Sequence, residues 1–181
     1  MHFTIGDYLL DITENSLHAN SAEITVSVIE SEALIECEVL DNGKGMDSET
    51  LKKAQDSFYT EEGKHDGRKF GFGLPFLIQA VTESGGEFDI QSKKGVGTSV
   101  KFSIDKSNID APPLGDIVGT IRAIISYEGK SEIVFKREVN GNGYQISKKE
   151  MIDALGDLTT VSSLSLAKQY IKSQEDDLRK I

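Results

Sequence analysis

The sequence has one cysteine, no tryptophan and only three prolines among 181 residues. A single thiol, Cys37, excludes an intrachain disulfide, and the alternating pattern around it predicts a core side chain on a half-buried strand. No apolar run approaches the roughly 20 residues needed to cross a bilayer. The opening residues also lack the basic and apolar regions of a secretory leader. We therefore expect a cytoplasmic protein without a membrane partner.

Positive charge is also scarce, since 20 Lys and Arg are scattered among 30 Asp and Glu, for a formal net charge of -10. Proteins that bind a phosphate backbone normally concentrate Lys and Arg in a basic patch. The composition therefore argues against nucleic acid as a partner, and the acidity is explained by solubility.

Residues 1–105 are predicted to form one domain of helices and strands. Thr4 and Asp7 form a capping pair at the start of a helix whose apolar stripe includes Ile5, Leu9 and Ile12, with Ser16 on the same side. The expected helices are 4–18, 47–55 and 73–84, and the expected strands are 23–29, 33–40, 88–91 and 98–104.

A composition change at residues 106–113, including Ala111-Pro112-Pro113, predicts a linker. Residues 114–181 are then expected to form a small α/β accessory module of unknown role. Its predicted elements are a helix over 115–126, strands over 132–139 and 144–147 joined at 140–143, a helix opened by Ser147 and Glu150, and a helix over 164–178. We interpret the polar residues of 128–137 as the outer face of a strand.

Residue types suited to nucleotide chemistry occur on the first helix. Asp11 and Asn15 are four residues apart and share a face, with His18 on nearly the same stripe. An amide oxygen can ligate Mg²⁺, and a carboxylate can accept a proton from an attacking nucleophile. Taken alone, the same pattern also describes a solvated helix face.

Three glycine-rich segments add to this helix. Asp41-Asn42-Gly43-Lys44-Gly45 follows a strand, where a carboxylate can accept from an exocyclic amine and glycines allow close approach of a flat ring. Gly71-Phe72-Gly73-Leu74-Pro75 opens a helix whose N-terminus favours anions. Gly95-Val96-Gly97-Thr98 leads into a strand. Each segment has an ordinary turn or loop as its alternative interpretation.

Together, in this order, these segments resemble the ATP-binding superfamily of gyrase, the heat-shock chaperone, histidine kinases and MutL, called GHKL. Asp11–Asn15 resembles the N box, Asp41–Gly45 the G1 box, Phe58–Thr60 the F box and Gly71–Leu74 the G2 box. Residues 85–98 resemble the tail of a histidine-kinase catalytic domain, so the resemblance covers about residues 4–104.

The resemblance implies an α+β fold of the Bergerat type, a two-layer sandwich with a mixed, mainly antiparallel sheet covered on one face by helices. It implies ATP and Mg²⁺ as ligands, with Asn15 at the metal, Asp41 at the adenine amine and residues 58–69 as a lid. The nucleotide-binding residues it implies are Asn15, His18, Asp41, Gly43, Gly45, Met46, Lys69, Gly71, Phe72, Gly73, Leu74 and Thr98.

Three positions depart from the family pattern. Asp11, the candidate catalytic residue, stands where hydrolysing members and anti-sigma kinases usually have glutamate and many sensor kinases have asparagine. Its carboxylate is one methylene shorter, which leaves base catalysis open. His18 replaces a common Lys or Arg, and Pro75 replaces a common glycine and should stiffen the helix start.

Sensor kinases carry a phosphoacceptor histidine on a dimerisation domain before the N box, and here the N box begins within the first dozen residues. None of His2, His18 and His65 is expected to serve as such an acceptor. The chain also resembles anti-sigma serine kinases and small ATP-binding proteins of anaerobic bacteria encoded beside iron-hydrogenase and NADH-dehydrogenase-like subunits.

Three hypotheses for the activity remain open. The first is a stand-alone protein kinase that phosphorylates a serine, threonine or histidine of a regulatory partner protein in trans. The second is a non-catalytic module that senses ATP and ADP for a partner. The third is a slow ATPase switch that forms a homodimer. All three place the protein in signal transduction.

Overall fold

In a computed structural model, the described residues are 3–55 and 73–180. Within these ranges the chain forms six helices and six strands. The helices are α1 (Ile5–His18), α2 (Ser48–Gln55), α3 (Gly73–Glu83), α4 (Ile117–Ile125), α5 (Lys148–Leu155) and α6 (Val161–Leu178). The strands are β1 (Glu23–Glu30), β2 (Leu34–Asp41), β3 (Phe88–Lys93), β4 (Gly97–Asp105), β5 (Glu132–Val139) and β6 (Asn142–Ser147).

The six strands form one sheet in the order β3-β4-β2-β1-β5-β6. β1 and β5 run parallel, and the other four neighbouring pairs are antiparallel. The predicted fold class, α+β with a mixed and mainly antiparallel sheet, is therefore confirmed.

One face of the sheet is buried under the helices. Side chains alternate along each strand, so that Ile24, Val26 and Val28 of β1 are buried while Leu40 and Glu36 of β2 are exposed on the other face. Cys37 lies on the buried face of β2, where burial raises the pKa of its thiol. The prediction that Cys37 is a core thiol is confirmed.

The start of α1 is fixed by its own sequence. The Asp7 backbone N–H donates to Thr4 Oγ1 over 3.2 Å, and the Thr4 N–H donates to Asp7 Oδ2 over 2.8 Å. This reciprocal capping box confirms the predicted helix start. Ile5, Leu9 and Ile12 are buried against the sheet, and this packing fixes the direction in which the polar stripe of α1 points.

The segment after residue 113 continues the same sheet. β5 lies beside β1 from the pair Glu23–Glu132 to the pair Glu30–Val139. The predicted linker reaches the first helix, since the Pro113 carbonyl accepts from the Ile5 N–H over 2.9 Å. The division into domains 1–105 and 114–181 stays a prediction, to which the structure adds a shared sheet and a shared hydrophobic core.

The β5–β6 hairpin turns at Asn140 and Gly141, which both have positive φ, at 48° and 84°. This pair of left-handed residues suits a two-residue hairpin turn. Asn142 and Gly143, assigned to the turn from the sequence, already belong to β6. The difference arises because the first two residues alone complete the reversal.

Arg137 corrects the interpretation that the polar residues of 128–137 lie on the outer face of a strand. It is 2% exposed and lies under α6. Its Nη2 donates to Glu30 Oε2 over 2.6 Å and its Nε donates to Glu175 Oε1 over 3.2 Å. The guanidinium is buried because two carboxylates, on β1 and α6, compensate its charge.

Across residues 3–55 and 73–180, every helix falls short of the length and apolarity that crossing a membrane requires.

Candidate functional site

Asp41, the last residue of β2, has its carboxylate held between α1 and the loop that follows the strand. The hydroxyl of Ser16 donates to Oδ2 over 2.7 Å, and the hydroxyl of Ser21 donates to Oδ1 over 3.0 Å. The Gly43 N–H donates to Oδ1 over 2.8 Å. Asp41 is 8% exposed. Three of about four lone-pair positions are occupied, so Oδ2 keeps one for a further donor.

Glycines of the Asp41–Gly45 loop allow backbone segments to pack closely. Gly45 has φ +58°, and a Cβ there would collide with the Lys93 carbonyl. A Cβ at Gly43 would come within 2.8 Å of the Ala19 Cβ. The loop is also tied by the Lys44 N–H, which donates to the Ala19 carbonyl over 2.9 Å. These contacts hold the loop against the end of α1; close approach of these glycines to a flat ring stays a prediction.

Met46 and Thr98 meet at the hydroxyl of Ser92 on β3. The Met46 N–H donates to Ser92 Oγ over 2.8 Å, and Ser92 Oγ and Thr98 Oγ1 share a hydrogen bond of 2.8 Å. The end of the glycine loop is thereby joined to the start of β4, beside Asp41, whose register partner is Thr98.

The polar stripe of α1 lies beside this cluster. Asp11, Asn15 and His18 are all exposed. Partial burial raises the pKa of the Asp11 carboxyl, and the neighbouring carboxylates of Glu14 and Asp7 raise it further. A carboxylate with a raised pKa is a stronger proton acceptor, which suits the role expected of Asp11.

The start of α3 lies against Asp11. A Cβ at Gly73 would come within 2.8 Å of Asp11 Oδ2 and 3.1 Å of its Cβ, so a residue without a side chain is favoured at this position. Leu74, in the first turn, packs against the core. The positive N-terminal end of α3 therefore faces the stripe of α1, as an anion-binding arrangement requires.

Several predicted residues lie outside the described ranges. They are Lys69, Gly71, Phe72, the F-box residues Phe58–Thr60, the remainder of the predicted lid 58–69, and the histidines His2 and His65. The described part of the chain brings together Asp11, Asn15, Asp41, Gly43, Gly45, Met46, Gly73 and Thr98, with His18 at the end of the same helix.

Sequence reasoning missed the three serines that organise the site. Ser16 and Ser21 fix Asp41, and Ser92 joins Met46 to Thr98. A signal existed for Ser16, because a polar residue on the apolar stripe of a helix needs a buried partner. Ser21 and Ser92 carried no comparable signal.

This donor set fits a magnesium nucleotide. The free lone pair of Asp41 can accept from an exocyclic amine, and the exposed Asn15 carries the amide oxygen that a hard cation prefers. The N-terminus of α3 offers a positive end for phosphates. Among the described residues, no cluster of His, Cys, Asp and Glu could hold a metal alone, so a cation here would depend on phosphate oxygens.

Comparison with known proteins agrees with this geometry. The sequence model of the family described as histidine kinase-, DNA gyrase B- and HSP90-like ATPase matches residues 5–108. The chain therefore belongs to this family, and the matched part is a GHKL ATPase domain of the histidine kinase type. Domains of this family bind ATP.

Curated relatives include sensor proteins. The sensor histidine kinase YxdK of Bacillus subtilis (strain 168) is 32% identical over 107 residues, which are 57% of this chain and 32% of that protein. A putative sensor protein of Shewanella frigidimarina (strain NCIMB 400) is 33% identical over 97 residues, 52% of this chain and 14% of its own length. This chain thus covers less than a third of the length of either relative.

A solved structure shares the fold over a longer stretch. The N-terminal domain of a DNA repair protein aligns with a TM-score of 0.56 and 12% identity, over 89% of this chain and 58% of that one. The similarity of fold therefore extends into the segment that follows residue 108.

Proposed function

We propose that this protein binds ATP with Mg²⁺ between α1, α3 and the Asp41–Gly45 loop, and uses it in regulation. The observation that carries this proposal is the Asp41 carboxylate, held by Ser16, Ser21 and Gly43 with one acceptor position left. A buried carboxylate fixed in this way is prepared to recognise an amine such as that of adenine. Asn15, His18, Met46, Gly73, Leu74 and Thr98 line the remainder of the proposed site, with Lys69, Gly71 and Phe72 as sequence-based members.

The activity proposed first is phosphoryl transfer to a regulatory partner protein. Asp11 would accept the proton of the partner's hydroxyl or imidazole as that group attacks the γ-phosphorus, and ADP would leave. The raised pKa of Asp11 supports this role, since its carboxylate holds a proton more readily than an ordinary aspartate. Bound Mg²⁺ would neutralise phosphate charge beside Asn15.

A second candidate is a nucleotide-sensing module without transfer. It is favoured by the packing of the C-terminal segment on α1, where the Pro113 and Leu114 carbonyls accept from the N–H groups of Ile5 and Gly6 over 2.9 and 3.1 Å. A shift of α1 on nucleotide binding would thus reach a surface outside the ATPase domain. A slow ATPase switch with homodimerisation is the third candidate, and all three are proposed to act in the cytoplasm.

The deciding experiment measures ADP formed per protein molecule over time with Mg-ATP, for wild type and Asp11→Asn, with ATP affinity measured in parallel. Steady release above one equivalent, lost in Asp11→Asn while ATP still binds, would support Asp11 as a working base. Asp89→Asn, an exposed carboxylate on β3, is the matched control.

Binding without ADP release from either protein would favour the sensing module, and a kinase would then need its protein substrate to be found. Failure of wild type to bind ATP would contradict the proposal.

A further inference from the structure

Tyr127, which follows α4, reaches across to α1. Its hydroxyl donates to Glu14 Oε1 over 3.2 Å, and both residues are half-buried. Glu14 lies three residues after Asp11 and immediately before Asn15 on α1. Tyr127 thus contacts the helix of the proposed site, although it lies outside residues 5–108, which the family model matches.

Tyr127 is itself held in place by α5. The buried Lys148 donates from Nζ to the Tyr127 carbonyl over 2.7 Å and to the Gly129 carbonyl over 2.9 Å. The Tyr127 N–H donates to the Ile124 carbonyl over 3.4 Å, which continues the last turn of α4. The backbone of Tyr127 is therefore held by two elements, and its side chain starts from a fixed position from which the hydroxyl donates to Glu14.

Glu14 needs such a partner because α1 is acidic on this side. Asp7, Asp11 and Glu14 lie within two turns of the helix. A mobile carboxylate at Glu14 would repel both Asp11 and the phosphates of a nucleotide bound beside Asn15.

We propose that Tyr127 is a positioning residue, which fixes the Glu14 carboxylate at this hydrogen bond so that it does not move toward Asn15 and Mg-ATP can bind there. This inference rests on the proposed function. If Tyr127 has this role, the segment after residue 108 takes a direct part in the nucleotide site. It does so through the hydrogen bond from Tyr127, which restrains the negative charge of Glu14.

Tyr144 offers a matched control. Its hydroxyl donates to Glu175 Oε1 over 2.6 Å, so Tyr144→Phe also removes one Tyr–Glu hydrogen bond outside the family match. That bond joins β6 to α6 beside Arg137, and its acceptor lies on α6 rather than on α1. A general loss of stability would affect both variants, whereas a positioning role would affect only Tyr127→Phe.

The test measures Mg-ATP affinity by calorimetry on the full chain for wild type, Tyr127→Phe, Tyr144→Phe, Glu14→Gln and the double variant Glu14→Gln/Tyr127→Phe. We expect Tyr127→Phe to weaken binding by about three- to tenfold, the range of one lost hydrogen bond, and Tyr144→Phe to stay within about twofold of wild type. In the Glu14→Gln background, the Tyr127→Phe change should alter affinity by less than about twofold, because no charge remains to be restrained.

Equal losses in Tyr127→Phe and Tyr144→Phe, or an undiminished Tyr127→Phe effect beside Gln at position 14, would overturn the inference. So would wild-type affinity in Tyr127→Phe. Absence of ATP binding by wild type would instead overturn the proposed function, and the inference with it.

Discussion

The carboxylates of Asp41 and Asp11 lie on neighbouring elements but in opposite surroundings. Asp41 is buried and accepts hydrogen bonds from two serines and a backbone N–H. Asp11 is exposed, and partial burial raises the pKa of its carboxyl, which the carboxylates of Glu14 and Asp7 on α1 raise further.

This contrast fits the two roles proposed, recognition of the nucleotide by Asp41 and reaction at Asp11. A carboxylate that recognises an amine must keep one orientation, which the donors around Asp41 supply. A carboxylate that accepts a proton must be able to take it up, which the partial burial of Asp11 and its acidic neighbours favour. The comparison predicts that changes at Asp41 act on affinity, whereas changes at Asp11 act on turnover and on the response to pH.

The largest expected effect is that of Asp41→Ala. Removal of the carboxylate deletes the acceptor proposed for the nucleotide and leaves the hydroxyls of Ser16 and Ser21 without their partner, so ATP affinity should fall by about 100-fold. Isothermal titration with Mg-ATP measures this. Asp105→Ala is the control, because Asp105 lies at the opposite end of the β2–β4 pair from Asp41 and its carboxylate likewise accepts from a serine, Ser107. Similar affinities in the two variants would contradict the role of Asp41.

A smaller effect is expected from Asn15→Ala, which removes the amide proposed to ligate Mg²⁺. Affinity for ATP should fall by about tenfold with Mg²⁺ present and hardly change when the cation is chelated, because the amide acts through the metal. Titrations with and without EDTA measure the difference. A loss of the same size in both conditions would show that Asn15 contributes to binding without the metal.

The smallest expected effect is a gain in stability from Asp11→Asn. Because folding raises the pKa of Asp11, its ionised form is disfavoured in the folded state. The cost is absent below the ordinary value of 3.8 and fully present once the pH exceeds the raised pKa. Since Asp11 is only partly buried, the melting temperature should rise by only about 1–3 °C at pH 7.

Thermal unfolding of wild type and Asp11→Asn at about pH 3 and pH 7 tests the sign. The gain should vanish at the lower pH, where the aspartate is protonated and resembles the amide. A gain at pH 3 equal to that at pH 7 would assign the effect to packing, and a loss at pH 7 would show that the charge of Asp11 stabilises the fold.

Most local structure could be predicted from the sequence. The capping pair Thr4 and Asp7, the second capping pair Ser147 and Glu150, and the turn at Asn140 and Gly141 appear where the pattern indicated them. Boundaries moved by a few residues, as where α6 begins at Val161 rather than at Leu164. Caps and turns are predictable because their partners lie within about four residues of each other.

The site could be predicted in part. The spacing of Asp11, Asn15, Asp41 and the glycines indicated the family, which the match over residues 5–108 confirms. Their roles toward a nucleotide stay predictions. The serines around Asp41 and the burial of Arg137 were missed. A single serine or arginine in a sequence does not reveal whether its side chain will be exposed or buried.

Hydrophobic alternation and helix caps in the sequence specified most of the elements, since both depend on neighbours along the chain. The class of fold was implied by the resemblance to a known family. Only the tertiary structure decided that β5 joins β1 in parallel, that Ser16 and Ser21 meet Asp41, and that Tyr127 meets Glu14. The parallel pairing, and the hydrogen bonds between residues that are 20 to 113 positions apart in the sequence, depend on the order of the strands in the sheet. Periodicity within a segment carries no information on that order.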